Sequence, residues 1–445
     1  MTLSGNASWV TFLDTSFTFY GYAADQAVTG HDLEGALAHT ERGLSCRVEG
    51  PTRGALLACQ SLIYTWFGQH EPADRCGTEA LGLMAAGTMR WCQCIGMMFL
   101  VMIHRNQPER LAALGRAFSS TEPEGDARAA YVEAGFMLMG AYSCVGALGA
   151  ARGIRKRIDR VSADAGLPDA LMRGWVKYWS AFCENLLSAA PWVPCGAARE
   201  AIASFEEMGP VYRRWVAGPY AVLGMAQADL FGLSTAEATF RAGLTVVEPL
   251  QEAAHFAFIA APLTLLLVER GAPERLEEAH ALARDILENV PDSAMHTGRA
   301  YCALAHIHLR REDLLTAEDC ARKGREILRG MPALSPPAFV ALIEVLLAQK
   351  RTAEARAVAE EGLELIRSLG GVGTIELRLR LAAAEARHAD GDIDAAREAI
   401  EDAVKDLHAR ADAERIPEGG AREHFLGEVP AHARIQELAR LWRAG

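Results

Sequence analysis

A chain of 445 residues is too long for one compact core, which leaves either several globular domains or one elongated array. Half of its residues are hydrophobic and 23% are charged, a balance that excludes a disordered chain. The formal net charge of −12 sets it against nucleic-acid binders, whose surfaces are basic.

The N-terminal stretch is aromatic, with Trp9, Phe12, Phe17, Phe19 and Tyr20 ahead of Ala23 and Ala24. A terminal repeat should be polar outside, so this end is expected to fold over itself or to meet another domain or chain. The first basic residue is Arg42, so no Sec-type leader is expected. Trp91 to Ile103 is apolar but interrupted by Gln93. It falls short of the roughly 20 residues a bilayer span needs and reads as a core helix. Cys92 and Cys94 lie within it, and helical residues two apart diverge by about 200°, so the pair is expected to be core thiols rather than metal ligands. The ten Cys are expected to be reduced. Farther on, Arg152, Arg155, Lys156 and Arg160 share one helix face, opposite Ile154, Ile158 and Val161, as a basic docking patch or a solvated face. An aromatic segment, Trp175–Phe182 with Trp192, follows.

From residue 216 onward an internal pattern recurs. Tyr220, Leu223 and Gly224 precede Ala236, Phe240 and Gly243. Tyr301, Leu304 and Ala305 precede Ala317, Ala321 and Gly324, and Phe339, Leu342 and Ile343 precede Ala355, Ala359 and Gly362. A further copy ends in Ala396, Ile400 and Ala403 after the turn Gly391-Asp392. Taking the first small residue of each second helix as a marker gives Ala36, Ala73, Leu111, Ala151, Ala198, Ala236, Ala279, Ala317, Ala355 and Ala396. Nine intervals span 360 residues, a mean of 40, which is what two helices of about four turns plus two short turns require. Turn chemistry at Gly68, Gly271-Ala272-Pro273 and Gly391-Asp392 fits this spacing, and no alternating Val/Ile/Thr run competes as a strand.

The sequence therefore predicts an all-α fold: a right-handed superhelical solenoid of about ten antiparallel hairpins and about twenty-one helices, spanning 1–445. Its parts are N-terminal hairpins over 1–126, degenerate middle repeats over 127–215, clear repeats over 216–410 and a capping helix over 411–445. The quoted repeats resemble tetratricopeptide repeats, with longer helices than the 34-residue form. The segment His424-Phe425-Leu426-Gly427-Glu428-Val429-Pro430, continuing to Leu441-Trp442, is similar to the end of large myxobacterial-type Ser/Thr protein kinases and signalling ATPases. There a tetratricopeptide array follows the catalytic modules. That resemblance implies a regulatory, partner-binding array in bacterial signalling. The kinase part is absent: no Gly-rich phosphate loop, His-Arg-Asp or Asp-Phe-Gly occurs. Gly370-Gly371-Val372-Gly373 follows no strand and reads as a turn.

No catalytic constellation, cofactor motif or metal-ligand set emerges, so the expectation is a cytoplasmic non-enzyme. Its partner is a protein or peptide, with a kinase, ATPase or effector as candidates, rather than nucleic acid or a membrane. Registering the repeats puts His306, Arg310, Glu344, Arg378, Glu385 and His388 on the concave groove, where mixed-sign side chains suit an extended peptide. Two alternatives stay open: a small-ligand-sensing array that regulates an attached or partner kinase or ATPase, with the Trp175–Phe182 region lining a pocket, and an all-helical enzyme with a convergent site.

Overall fold

A computed structural model describes residues 32–163, 169–187, 192–209, 215–230, 232–373, 375–412 and 421–444. The aromatic N-terminus and the Ile416–Gly420 turn lie outside these. The described residues form twenty-one α-helices and no strand. After α1 (Leu33–Ser45), nine hairpins follow: α2 (Gly50–Trp66) with α3 (His70–Leu83), α4 (Met89–His104) with α5 (Pro108–Ser119), α6 (Arg128–Cys144) with α7 (Leu148–Ala163), α8 (Asp169–Leu187) with α9 (Trp192–Glu207), and α10 (Ala217–Leu230) with α11 (Leu233–Val247). The remaining four are α12 (Ala253–Arg270) with α13 (Pro273–Asn289), α14 (Ala294–Arg310) with α15 (Leu314–Ile327), α16 (Pro336–Ala348) with α17 (Thr352–Leu369), and α18 (Ile375–Ala389) with α19 (Ile393–Asp412). The chain closes with α20 (Ala421–Gly427) and α21 (Pro430–Ala444).

Composition separates two layers. First helices such as α4, α6 and α16 are apolar nearly all round and bury most of their residues. Each packs against its own second helix and against the first helix of the next hairpin. Second helices such as α7, α15 and α17 are amphipathic and face outward. All ten marker residues are buried. Eight of them are the fourth residue of their helix, and Ala198 and Ala279 are the seventh, because α9 and α13 begin one turn earlier. That extra turn adds three residues to each of the long intervals of 47 and 43. Close approach depends on the small residues: a Cβ on Gly224 would fall 2.4 Å from the Phe240 ring. The turn inside most hairpins holds one residue at positive φ, with Gly at 68, 146, 271 and 391 but Asn106, Glu312 and Lys350 at the same place elsewhere. Ion pairs between neighbouring second helices repeat along the outside, as in Arg241–Glu278 at 2.9 Å and Arg325–Glu361.

The superhelix is tightly wound. α2 touches α12, α4 touches α14 and α10 touches α20, so ten helices, or five hairpins, complete one turn. The hairpin-turn edge of one superhelical turn thus abuts the leading edge of the next. Val290 lies against Gly68, Leu369 lies against Gly146, and Asn106 donates from Nδ2 to the Ile327 carbonyl at 3.1 Å. At the centre of this seam His70 and His104 stack at 4.2 Å, and His104 Nδ1 lies 2.6 Å from Ser293 Oγ. His296 and Phe258 complete the cluster, with Trp66, Trp215 and His255 beside it. Among the described residues one helix, Ala253–Arg270, is long and apolar enough to cross a membrane, and it is mostly buried within the solenoid.

Candidate binding surfaces

The inner layer carries charge in a narrow strip. On α14, Arg299, His306 and Arg310 recur at helical spacing on one face. His306 Nδ1 lies 3.2 Å from Glu344 Oε2 on α16, and Arg378 on α18 pairs with Glu269 on α12 at 3.3 Å across 109 residues. Arg310 approaches Gly271 and adds its field to that of His306 and Arg378 at Glu344. Burial raises the Glu344 pKa, but His306, Arg378 and Arg310 together hold the carboxyl below its usual range. Glu269 raises the Arg378 pKa. Glu344 and Arg378 are half-buried, with 41% and 37% of their side-chain surface accessible.

Four of the six groove residues expected from the sequence, His306, Arg310, Glu344 and Arg378, therefore converge in this strip. The other two meet the C-terminal helix instead. Glu385 pairs with Arg434 at 3.2 Å, and His388 stacks on Trp442 at 4.5 Å. Burial pushes Glu385 up despite Arg434.

Sequence reasoning missed Glu269, Glu133 and Arg299. The last two are charges placed within otherwise apolar first helices, and that anomaly is visible in the sequence. Burial alone pushes Glu133 up to about 7. Burial lowers the Arg299 pKa, and beside it lie the thiols of Cys144 and Cys302.

The four cations expected on one face of α7 have different surroundings. Arg155 turns to Asp159 at 2.9 Å, and Arg152 is exposed. Lys156 and Arg160 instead line a cleft between α5 and α7, together with Arg116 and Arg157. The Trp175–Phe182 aromatics are core: Trp175 packs on Trp215 and Phe205, and Trp179 on Phe182. Cys92 and Cys94 are buried, and burial pushes both thiols up to about 12. Among the described residues no group of His, Cys, Asp or Glu is arranged to hold a metal ion.

No protein-family model and no curated protein matches the chain. Solved structures do. A Rap protein complexed with competence and sporulation factor aligns at 12% identity and a TM-score of 0.48, covering 79% of this chain and 98% of that one. The APC/C hetero-tetramer Cut9–Hcn1 aligns at 13% identity and 0.46, covering 96% and 84%. Yeast Tom70 aligns at 10% identity and 0.38, covering 96% of each chain. All fall below a TM-score of 0.5, so the architecture rests on the helix pairing itself: an α-solenoid of tetratricopeptide-like hairpins.

Proposed function

We propose that this chain is a protein- or peptide-binding scaffold without catalytic activity, acting as a regulatory module in bacterial signal transduction. The observation that carries the binding role is the inner strip of His306, Arg310, Glu344, Arg378 and Glu269. It presents both charge signs on adjacent hairpins, inside a wall otherwise built from apolar helices. Such a strip selects an extended segment by charge pattern more than by raw affinity. The signalling role is supported by the resemblance of His424–Trp442 to the ends of signalling kinases and ATPases, which makes such an enzyme or its effector the favoured partner.

The small-ligand alternative draws on two observations: edge-to-edge closure of the superhelix, and Glu133 and Arg299, neither of which has an oppositely charged ion-pair partner among the described residues. A screen on an array of short peptides, followed by titration of the tightest binder, tests the peptide reading. Glu344→Gln and Arg378→Gln should each weaken that peptide by about five-fold or more, as residues at the centre of an interface do. Unchanged affinity in both variants, with the fold intact, would refute the strip as the site.

A further inference from the structure

The cleft between α5 and α7 stands on the outer layer, apart from the inner strip: second helices form its walls, and Tyr142 of the first helix α6 reaches it from below. Its volume is about 650 Å³. Gly115, Ala150, Gly153 and Ile154 make its floor, with Tyr142 at the base. These residues are what open it. A Cβ on Gly115 would lie 1.9 Å from Tyr142 Oη, while a Cβ on Gly153 would meet nothing within 4 Å.

Four cations rim this small apolar floor: Arg116, Lys156, Arg157 and Arg160. Arg157 is fixed in place. It donates to Tyr131 Oη, and from Nη2 to the Thr121 carbonyl at 2.7 Å and to Glu122 Oε1 at 2.9 Å. Arg160 reaches the same carboxylate at 3.5 Å. Glu122 is therefore the single carboxylate shared by two arginines, and it is 70% exposed at the rim. Arg116 and Lys156 are exposed and have no carboxylate partner among the described residues. In a chain of net charge −12, a concavity with four cations against one acid is a local inversion of sign. Uncompensated positive charge over an apolar floor costs self-repulsion, which an anionic occupant relieves.

We propose that this cleft is a second docking site, which takes an acidic peptide segment of a protein partner: clustered carboxylates on the arginine and lysine rim, an apolar side chain on the Gly153–Ile154 floor. Arg157's three hydrogen bonds use its Nε and Nη2 and fix it in place as a positive charge, so planar, two-pronged binding of a carboxylate falls to the exposed Arg116. The floor distinguishes the site from a mere basic patch, because a uniformly charged polymer leaves it unfilled.

The test uses the full chain and a labelled peptide of alternating Glu and Leu, with the Gln/Leu peptide as its neutral counterpart. The acidic peptide should bind, the neutral one should not, and affinity should fall as salt rises. Arg116→Gln and Lys156→Gln should each weaken binding by about 3- to 10-fold, the range spanned by exposed and charge-assisted pairs. Gly153→Leu fills the cleft without touching any charge and should abolish binding. Two variants are the controls: Arg152→Gln, on the same helix but outside the cleft, and Gly149→Leu, at a similarly open glycine. Neither should change it. Equal losses from Arg152→Gln and Lys156→Gln, or full binding by Gly153→Leu, would overturn the proposal. So would single-stranded DNA that competes as well as the acidic peptide and responds to the same variants.

Discussion

Lowering the pH should loosen the seam between superhelical turns, and His104 sets the scale. The ring is buried at 3% exposure, stacked on His70, and joined through Nδ1 to Ser293 across 189 residues of chain. Burial lowers its pKa from 6.5 to about 4. His70 and His296 are lowered too, by burial and by repulsion from neighbouring histidines, and no ring nitrogen of either finds a hydrogen-bond partner among the described residues. Arg105 faces His70, and Arg299 and His255 face His296; each of these adds to the opposition to a proton. The sign follows directly. The closed form binds fewer protons than the open one, so stability is complete above 6.5 and drains away as pH falls toward 4. For His104 alone the loss between pH 7 and pH 5 is about 1.8 kcal/mol, a roughly twenty-fold shift toward the open or unfolded form, with a limit of about 3.4 kcal/mol below pH 4. Urea titrations read by Trp fluorescence suit the purpose, since Trp66 and Trp215 pack beside the seam. His104→Phe keeps a ring against His70 but cannot titrate. It should start less stable, having lost the Ser293 bond, and should lose about 1.8 kcal/mol less than wild type on going from pH 7 to pH 5. Parallel pH dependences in the two proteins would refute the reasoning.

Two other substitutions probe features of the interior and the turns. Glu133 has a raised pKa from burial, so its ionisation opposes folding as pH rises through 7. Glu133→Gln should stabilise the protein at pH 8 by about 1–2 kcal/mol, discounted for partial exposure, and should do nothing at pH 4, as paired denaturation curves would reveal. Lys350 holds φ +62° where corresponding turns hold glycine, so Lys350→Gly should raise stability by about 0.5–1 kcal/mol, seen as a higher melting temperature; a fall would show that the side chain compensates.

The hairpins were legible because their packing leaves a periodic trace. Ala236, Ala317, Ala355 and Ala396 must be small for the same steric reason, so they recur at the same helical position. Even Leu111 and Ala151, the faintest copies in the sequence, are buried at that position. The seam left no such trace. His70, His104, Ser293 and His296 meet only because five hairpins complete a turn, and that number accumulates from small rotations between neighbours that no single repeat encodes. The basic helix shows the same limit. Periodicity groups Arg152, Arg155, Lys156 and Arg160 on one side of α7. Only the position of α5 decides that Lys156 and Arg160 look into a cleft with Arg116 while Arg152 looks away. Likewise Glu385 and His388 occupy inner-facing register positions, and it is the final helix, with Arg434 and Trp442, that claims them.

Stacking one coil directly on the next has a consequence for how anything reaches the charged strip inside. An open spiral admits a guest sideways along its whole length, whereas a spring compressed until its coils touch admits one only through its mouth, or after the coils are prised apart. A guest for His306, Glu344 and Arg378 is therefore best supplied as a loose chain end, able to thread inward. A rigid folded surface would first have to part the histidines that hold the coils together.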